Sequence, residues 1–455
     1  MSLPPGPQSA AIFQTIRYVT KPIPLLEECR AKHGDIFTLK LVGSGDWVFL
    51  TKPEHLKEMF TGEPEVLHAG EANKSVFGAI TGSSTVLTMD DKEHLARRRL
   101  LLPPFHGERM QEYVDITRDI TLARAGSWGA GQVVTMQAET QRMTCDVILR
   151  AVFGLDDSAD GKRLGDLLTR LAEIGLGSPI LLVPALQIDL GRFSPWGKIV
   201  HIIEQTDEAL YAEIRRRRTE PIEGKSDIMS LLLQVKDEEG NQLSDKELRD
   251  ELVTMLLAGH ETTATGLAWA FERALALPDV LAKLRAELDT VVGSEPLSRS
   301  HLPKLEYLDA FVKETLRFRP IMPIGGSRKL TRDTKLGGYD LPAGTTVTNC
   351  LYLLHRRPDV YDDADEFRPE RFIGVKTPNP YEWTPFGGGI RRCIGLAFAL
   401  LEMKVVLAAV LGGWDLELTV PEVAVERRGF FMAPEGGPPI RVVGPRRRTS
   451  STGVG

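Results

Sequence analysis

The stretch FGGGIRRCIG, from Phe386 to Gly395, decides how the rest of the sequence is interpreted. Glycines permit backbone conformations that other residues avoid, and they let a large flat group approach the backbone closely. Cys393 follows these glycines and directly precedes an apolar helical run, where unpaired N–H groups and the helix dipole stabilise a thiolate. A lone cysteine is usually a buried structural residue. The spacing F-x-x-G-x-R-x-C-x-G favours a ligand instead.

The longest predicted helix carries the second informative segment. Ser244 and Glu247 match a capping box, and the apolar pattern that follows continues until Pro278 ends it. One face of this helix combines small residues with one hydroxyl: Met255, Ala258, Gly259, Thr262 and Gly266. Such a face lets a flat cofactor and a small ligand approach, and a mid-helix threonine can bond back to a carbonyl. An exposed polar turn on a core helix remains the alternative for Glu261 and Thr262.

The cysteine segment resembles the haem-binding loop of the cytochrome P450 family, and three further motifs in the family's order extend the resemblance over nearly the whole chain. The resemblance implies that Cys393 is the thiolate ligand of the haem iron. It also implies haem contacts from the helix and the loop: Ala258, Gly259, Phe386, Gly389, Arg391 and Gly395. Glu261 and Thr262 match the family's acid–alcohol pair, which supplies protons for oxygen activation. His260 is expected to point away from the haem.

A third motif is the pair Glu314 and Arg317 in the segment ETLR. By itself an E-x-x-R pair is a common surface pair of little energetic value. Together with Arg371 in the later segment PERF, the pair matches the family's buried ionic network. The resemblance therefore implies that these three residues are structural supports for the thiolate loop.

The fourth motif is HLARR, which contains His94 and Arg98 four residues apart. On a helix both side chains can reach one anion. The resemblance assigns them to the haem propionates, together with Arg328 and Arg391, and arginine suits bidentate carboxylate binding. For Arg97 and Arg99 a solvated basic helix surface remains the alternative.

Helical periodicity dominates the chain. Two small β regions interrupt it: a hairpin at 35–50, with its turn at 43–46, and a patch at 335–347. The arginines at 215–218 are interpreted as a solvated helix end. No repeat and no Gly-, Ser- or charge-rich linker divides the chain. We expect a mainly α fold with small β patches, in one large cytochrome P450-type domain spanning 1–455, with a long central helix over the haem and a flexible tail at about 445–455.

Composition and charge exclude several classes of protein. With 42% hydrophobic and 26% charged residues, the 455-residue chain can form a large core, which excludes wholesale disorder. Its formal net charge of −6 argues against general nucleic-acid binding. Cys29, Cys145 and Cys350 are interpreted as small buried hydrophobes rather than parts of a disulfide scaffold. No secretory signal and no apolar stretch of about 20 residues is found, so we expect a cytoplasmic protein without a membrane anchor.

The resemblance implies a haem b monooxygenase that inserts one oxygen atom from O2 into an apolar organic substrate. Hydroxylation or epoxidation of a fatty acid, terpenoid, polyketide or drug-like compound fits this description. Electrons from NAD(P)H are expected through a ferredoxin, or a flavodoxin, and its reductase. We expect the partner to dock near Arg392, with Arg97 or Arg99 close by, on a monomeric enzyme. A thiolate-haem protein that binds or senses a ligand without turnover, and a peroxide-driven peroxygenase, remain alternatives.

Substrate identity is where the sequence stops being informative. Apolar segments on several predicted elements are expected to line the pocket, as in most ligand cavities. They include the stretch at 175–186 and these side chains: Val76, Phe77, Ile80, Met255, Ile321, Ile324, Phe430 and Phe431.

Overall fold

The computed structural model describes residues 3–105, 107, 109–155, 158–174, 180, 187–221 and 224–446, apart from the side chains of residues 75, 76 and 109. Three predictions therefore lie outside the described residues: the pocket roles of Val76 and of nearly all of 175–186, and the tail beyond residue 446. Helix accounts for 53% of the described residues and strand for 13%, so the prediction of a mainly α fold with small β patches is confirmed.

Helices form the body of the molecule. In the described chain they are α1 Ala11–Thr20, α2 Pro22–His33, α3 Pro53–Thr61, α4 Ala69–Thr81, α5 Asp91–Leu101, α6 Arg109–Ala125, α7 Met136–Ala151, α8 Ala159–Ile174, α9 Pro195–Thr219, α10 Ile228–Leu232, α11 Asp245–Ala276, α12 Pro278–Val291, α13 Glu306–Phe318, α14 Leu351–Leu354 and α15 Leu396–Gly413. The predicted capping box opens α11, because the Ser244 hydroxyl accepts from the Glu247 N–H and the Glu247 carboxylate accepts from the Ser244 N–H. Pro278 begins the next helix, so the predicted end of α11 is also confirmed.

The described strands form separate small sheets. They are β1 Ile36–Leu41, β2 Gly45–Leu50, β3 Leu67–His68, β4 Val133–Thr135, β5 Gly325–Leu330, β6 Thr334–Leu336, β7 Tyr339–Leu341, β8 Thr346–Asn349, β9 Trp414–Leu418, β10 Val425–Arg428, β11 Phe431–Pro434 and β12 Pro439–Pro445. The largest sheet has the order β1-β2-β8-β5-β3, with β2 and β8 parallel and the other neighbours antiparallel. A second sheet has the order β4-β12-β9, and β6–β7 and β10–β11 are hairpins.

The predicted hairpin at 35–50 is present as β1 and β2, with Ile36 opposite Leu50. Alternation along β1 sends Phe37 and Leu39 into one apolar cluster and Ile36 into another. Both faces of the sheet are therefore covered. This explains why β1 is buried at every position except Lys40, although its alternating pattern resembles a strand with one solvated face.

The central helix α11 joins two large apolar clusters. Its first half packs Leu252 and Leu256 among residues of α8, α9 and α10. Its second half packs Leu267 and Phe271 among residues of α12, α13 and α15. The segment between these halves therefore lies at the junction of the two clusters.

One predicted surface feature is wrong. Within the arginine run at 215–218, Arg217 is buried and pairs with Glu213 and Asp227. It also donates to the carbonyl oxygen of Phe153 at 2.6 Å. Apart from Glu213, four residues earlier in α9, its acceptors come from other segments that the local sequence pattern does not reveal, so the run is only partly a solvated helix end.

Among the described helices, α15 alone is long and apolar enough to span a membrane by length and composition. It has 18 residues, and 56% of them are buried inside the protein, where the helix packs against α6, α11 and α13. A core helix meets the same criterion. The Glu402 side chain within it is fully buried, with its pKa raised well above the ordinary value by that burial.

Candidate active site

The middle of α11, which the structure describes in full, contains one break in its burial. From Leu248 to Glu272 every residue is buried except Ala258, Gly259 and Thr262. These three lie at i, i+1 and i+4, so they share one side of the helix. The core is therefore open at the segment where the sequence predicted a face of small residues.

A backbone hydrogen bond fixes the hydroxyl on this open side. Thr262 Oγ1 donates to the carbonyl oxygen of Ala258 at 2.6 Å, which is the back-bond expected of a mid-helix threonine. Gly259 also has a packing role, besides the haem contact that the resemblance implies. A Cβ at this position would lie 2.8 Å from Ile148 Cδ1, so glycine allows α7 to pack closely against α11.

Glu261 lies beside the opening but is only 4% exposed. Its Oε2 accepts a hydrogen bond from Gln141 Nε2 of α7 at 2.7 Å, and its Oε1 lies 3.7 Å from Arg428 Nη1. Burial raises the pKa of Glu261, while Arg428 and Gln141 act in the opposite direction. The adjacent His260 is buried too, and this burial lowers its pKa to about 4. His260 is therefore neutral and lies away from the open side.

The cysteine loop leads directly into α15. The Cys393 N–H donates to the carbonyl oxygen of Phe386 at 2.9 Å, which closes the loop, and Gly395 is the N-cap of the helix. The thiol is accessible to solvent, yet it lies deep enough for burial to raise its pKa. The Gly395 N–H and the charges of Arg98 and Arg392 oppose this shift. The predicted stabilisation of a thiolate is thus present, although burial outweighs it.

The glycines of the loop serve packing as well as conformation. Gly389 has φ +63°, and a Cβ there would lie 2.2 Å from the carbonyl oxygen of Phe60. A Cβ at Gly388 would collide with the Phe60 ring. These two glycines therefore seat the loop on α3. At Gly395, by contrast, an added Cβ would meet nothing within 4 Å, so the approach to the backbone there is open.

Four basic side chains converge near the loop. His94 is 1% exposed, and its pKa is lowered to about 3, first by burial and then by the charges of Arg391, Arg98 and Arg328. The pKa of the buried Arg328 is lowered to about 9, mainly by burial and then by Arg391. Among the described residues, only one carboxylate forms an ion pair with any of these four side chains: Asp90 pairs with Arg391.

This set of residues fits a haem. His94 Nδ1 is buried without a hydrogen-bond partner, and Arg98 pairs with no described residue. Arg98 and Arg328 have no carboxylate partner among the described residues, and leaving charges unpaired in a partly buried site is costly, so they call for an anionic group such as the two propionates. Cys393 supplies a thiol of the kind that ligates iron, and metal coordination deprotonates a thiol. Ala258 belongs to the open side of α11, where a flat group can lie.

The charged residues of the ETLR and PERF motifs form a buried network. Glu314 and Arg317 are both fully buried and form two hydrogen bonds, of 2.6 and 2.8 Å. Arg317 also donates to the carbonyl oxygens of His355, Ala364 and Glu366. Arg371 Nε lies 3.5 Å from Glu314 Oε1. The structure therefore brings together all three residues that the sequence predicted as supports.

The predicted pocket residues do not form one group. Phe77 of α4 contacts Phe430, with ring centroids 5.2 Å apart, and Phe430 packs in the same cluster as Ile80 and Met255. Ile321 packs in the other large cluster. Two further members lie elsewhere: Ile324 packs against the cluster formed by α2 and β1, and Phe431 is almost fully buried in β11.

Three functional candidates escaped the sequence analysis: Gln141, Arg428 and Asp90. Gln141 belongs to a row of polar residues on α7 that bond to α11, since Thr140 donates to the Ala264 carbonyl and Thr144 to the His260 carbonyl. The helical spacing of polar residues within an otherwise buried helix was a signal that could have revealed this row. The contacts of Arg428 and Asp90 join distant segments and leave no local pattern.

The predicted surface role of Arg97 is wrong. Arg97 is 6% exposed and pairs with Glu247 and Glu251 of α11. Arg99 is exposed and pairs with Glu238. Only the second of these two arginines is available at the surface for a partner.

Fold and site together define a mainly α protein with a cysteine loop, an exposed break in the burial of its central helix and a cluster of basic side chains that suits a flat, anionic metal cofactor. The cytochrome P450 family model matches residues 4–437. Cytochrome P450 135B1 of Mycobacterium tuberculosis is 37% identical over 452 residues, covering 97% of this chain and 92% of that protein. Cytochrome P450 138 of the same species is 36% identical over 440 residues, covering 96% and 95%. The solved structure of cyanobacterial CYP120A1 with bound retinoic acid has a TM-score of 0.85 at 25% identity, covering 97% and 99%.

The chain belongs to the cytochrome P450 family. It is an oxidoreductase that uses haem and molecular oxygen, a haem-thiolate monooxygenase. The resemblance seen in the sequence is thereby confirmed.

Proposed function

We propose that this monooxygenase inserts oxygen into a small apolar organic substrate, at a site between Cys393 and the open side of α11. The observation that supports this best is the isolated opening at Ala258, Gly259 and Thr262, with a buried carboxyl at Glu261 next to it. A protein that only binds a ligand has no need for a hydroxyl and a carboxyl at this position.

Cys393 is the proposed iron ligand, and His94, Arg98, Arg328 and Arg391 are the proposed partners of the haem propionates. When bound through a thiolate, haem b activates O2 and favours cleavage of the O–O bond. The proposed haem contacts from the loop and the helix are Phe386, Gly389, Gly395, Ala258 and Gly259. Gly389 contributes chiefly by seating the loop on α3.

Thr262 and Glu261 are the proposed proton-delivery residues. The Thr262 hydroxyl donates to the Ala258 carbonyl, so its oxygen remains free to accept a hydrogen bond on the open side. Glu261 has one oxygen anchored by Gln141 and the other facing Arg428, whose side chain is 36% exposed. A carboxyl between solvent and the opening, with its pKa raised by burial, can take up and release protons.

The substrate is proposed to be a fatty acid, terpenoid, polyketide or drug-like compound. Phe77, Ile80, Met255 and Phe430 form an apolar wall near the open side, and Ile321 flanks its far end. The retinoic acid bound by CYP120A1 is an elongated, largely apolar molecule of this general kind. Ile324 and Phe431 are also proposed pocket residues, although they pack outside this wall. Val76, whose side chain lies outside the described part of the chain, completes the proposed set.

We further propose that electrons from NAD(P)H arrive through a ferredoxin, or a flavodoxin, and its reductase. Arg392 is half-buried beside Cys393 and forms no ion pair with a described residue, so it can serve an acidic partner. A cytoplasmic monomer with one catalytic domain over residues 1–455 completes the proposal.

A compound screen followed by turnover assays tests this function. Holoprotein is screened for compounds that shift the haem spin state, and those found are assayed with NADPH, a ferredoxin and its reductase. We expect substrate-dependent NADPH consumption and an oxygenated product, and a reduced carbon-monoxide complex with the red-shifted Soret band of thiolate ligation. Binding without NADPH consumption would indicate a sensor, and turnover only with peroxide would indicate a peroxygenase. Either result would contradict the proposal.

A further inference from the structure

Asp90 occupies the N-cap position of α5 but does not cap that helix. An N-cap aspartate ordinarily accepts from the N–H groups of its own first turn. Here the Asp90 oxygens accept instead from the N–H groups of Gly70 and Glu71, each at 2.8 Å, in the first turn of α4. The residue that precedes α4, His68, provides no side-chain cap. Asp90 therefore caps the N-terminus of α4 and not that of α5.

The same carboxylate also holds an arginine of the cysteine loop. Arg391 Nη2 donates to Asp90 Oδ1 at 2.5 Å and to the Met89 carbonyl at 2.6 Å, while Nη1 reaches the Val86 carbonyl at 3.2 Å. The Arg391 side chain is only 10% exposed and the Asp90 side chain 14%. In such an environment a charged hydrogen bond is stronger and its geometry better defined than at the surface.

The backbone around Asp90 is arranged to permit both contacts. Asp91 has φ +52°, a conformation uncommon for a residue other than glycine. A Cβ at Gly70 would lie 2.4 Å from the Met89 carbonyl oxygen, so glycine brings the start of α4 against this segment. A locally unfavourable conformation that persists in a structure is held by its surroundings and is frequent at functional positions.

We propose that Asp90 is a positioning residue that couples the substrate side of the site to the cofactor side. Its oxygens fix the start of α4, which carries Phe77 and Ile80, and the guanidinium of Arg391. Ligand discrimination in the pocket and retention of the haem therefore depend on one carboxylate. This inference rests on the proposed function, because it takes α4 as a pocket wall and Arg391 as a haem contact.

Asp90→Asn in the holoprotein tests the coupling, with Glu93→Gln as a matched control. Glu93 is exposed in the first turn of α5, so this variant removes the same charge without these contacts. The probes are imidazole, which ligates haem iron without filling a pocket, and 4-phenylimidazole, whose ring needs the pocket. In Asp90→Asn we expect about tenfold weaker 4-phenylimidazole binding, imidazole binding within about twofold, and about tenfold faster haem transfer to apomyoglobin. Glu93→Gln should match the parent throughout.

A double-variant cycle examines whether the two effects share one path. Arg391→Lys and Asp90→Asn should weaken 4-phenylimidazole binding less than additively when combined, because both remove the same contact. Additive effects, or a change in only one of the two readouts in Asp90→Asn, would overturn the coupling. If Asp90→Asn does not assemble with haem, Asp90→Glu takes its place, because it keeps the charge but moves the carboxylate. Parental values of both 4-phenylimidazole affinity and haem transfer in Asp90→Glu would also overturn the coupling.

None of these measurements requires turnover. Absence of NADPH-dependent product formation in the parent would contradict the proposed function and leave the Asp90 result standing. If the ratio of the imidazole and 4-phenylimidazole affinities in Asp90→Asn equals that of the parent, the coupling is wrong and the proposed function is unaffected.

Discussion

The Thr262 hydroxyl is placed by its own helix rather than by a neighbour. Its 2.6 Å bond to the Ala258 carbonyl directs the hydroxyl along the open side of α11, and the Glu261 carboxyl lies on the adjacent side against α7. Thr262 therefore faces the opening, while the preceding residue, Glu261, faces the buried side chain of Gln141. This division suits a relay in which the carboxyl exchanges protons and the hydroxyl orients their delivery.

Thr262→Ala should uncouple oxygen consumption from product formation. Substrate affinity and NAD(P)H consumption should stay near the parent values, while product falls and hydrogen peroxide rises. Removing one positioned proton-transfer group costs about 10²–10⁴-fold in the step it serves. Product, NAD(P)H and peroxide are measured in the same reaction. Thr254→Ala is the control, because Thr254 makes the same back-bond, to the Asp250 carbonyl at 2.7 Å, on a buried side of the helix. Parental product per NAD(P)H in Thr262→Ala would assign proton delivery to another group.

At the scale of elements, buried charge pairs join helices that are distant in sequence. Arg97 of α5 reaches Glu251 of α11, and Arg249 of α11 reaches Asp207 of α9. Sequence patterns located the long helix α11, its capping box at Ser244 and the hairpin at 35–50, because these depend on neighbouring residues. The partners of Arg97 were missed because an ion pair between residues some 150 positions apart leaves no periodic signal.

Breaking the buried pair of Glu314 and Arg317 should strongly destabilise the fold. Glu314→Gln leaves the fully buried Arg317 without its carboxylate, and removing one partner of a buried pair costs about 3–5 kcal/mol. Glu370→Gln is the control, since its pair with Lys283 is exposed and should contribute at most about 1 kcal/mol. Urea unfolding of the holoproteins measures both. Equal losses in the two variants would show that the network does not support the fold.

The α5–α11 contact should also make stability depend on pH. Burial raises the pKa of Glu251 to about 7, although Arg97, which Glu251 shares with Glu247, opposes the shift. Between about pH 4.5 and 7 the folded protein keeps a proton that the unfolded chain has released. The free energy of unfolding contributed by Glu251 therefore decreases as pH rises through this window.

Glu251→Gln removes this titration. Relative to the variant, the parent should lose up to about 3 kcal/mol of unfolding free energy between pH 5 and pH 8, because each pKa unit corresponds to about 1.4 kcal/mol. Urea unfolding at the two pH values measures the difference, with the exposed Glu238→Gln as control. A constant difference between parent and Glu251→Gln would mean that Glu251 is ionised throughout.

At the scale of the whole molecule, the site could be predicted only as far as each residue belongs to a local motif. Cys393, Thr262 and the Glu314–Arg317 pair could be predicted as site residues because loops and helices display them at fixed spacing. Asp90 was missed because its role is to cap a helix some 20 residues earlier and to hold Arg391, about 300 residues later. The same limit explains why the pocket residues were only partly grouped correctly, since their clusters depend on how α4 and the β10–β11 hairpin meet.

We propose that the electron donor docks on the surface beside the cysteine loop. Arg392 adjoins Cys393 and influences its thiol, yet it has no ion-pair partner among the described residues. Arg97, expected nearby, is committed to α11, and Arg99 already pairs with the exposed Glu238. Arg392 is therefore the arginine of this group best placed to attract an acidic ferredoxin to a chain whose own net charge is −6.

Arg392→Glu should slow reduction by an acidic ferredoxin while leaving substrate affinity unchanged. Charges at such a surface mainly steer association, so the rate at low salt should fall by about tenfold and its dependence on ionic strength should flatten. Stopped-flow reduction at several salt concentrations measures both, and a spectral titration with a spin-shifting compound measures substrate affinity. Arg99→Glu is the comparison: it introduces the same charge change on an arginine that already has a partner, so its effect should be smaller. If Arg392→Glu is reduced at the parent rate at every salt concentration, the ferredoxin docks on another surface.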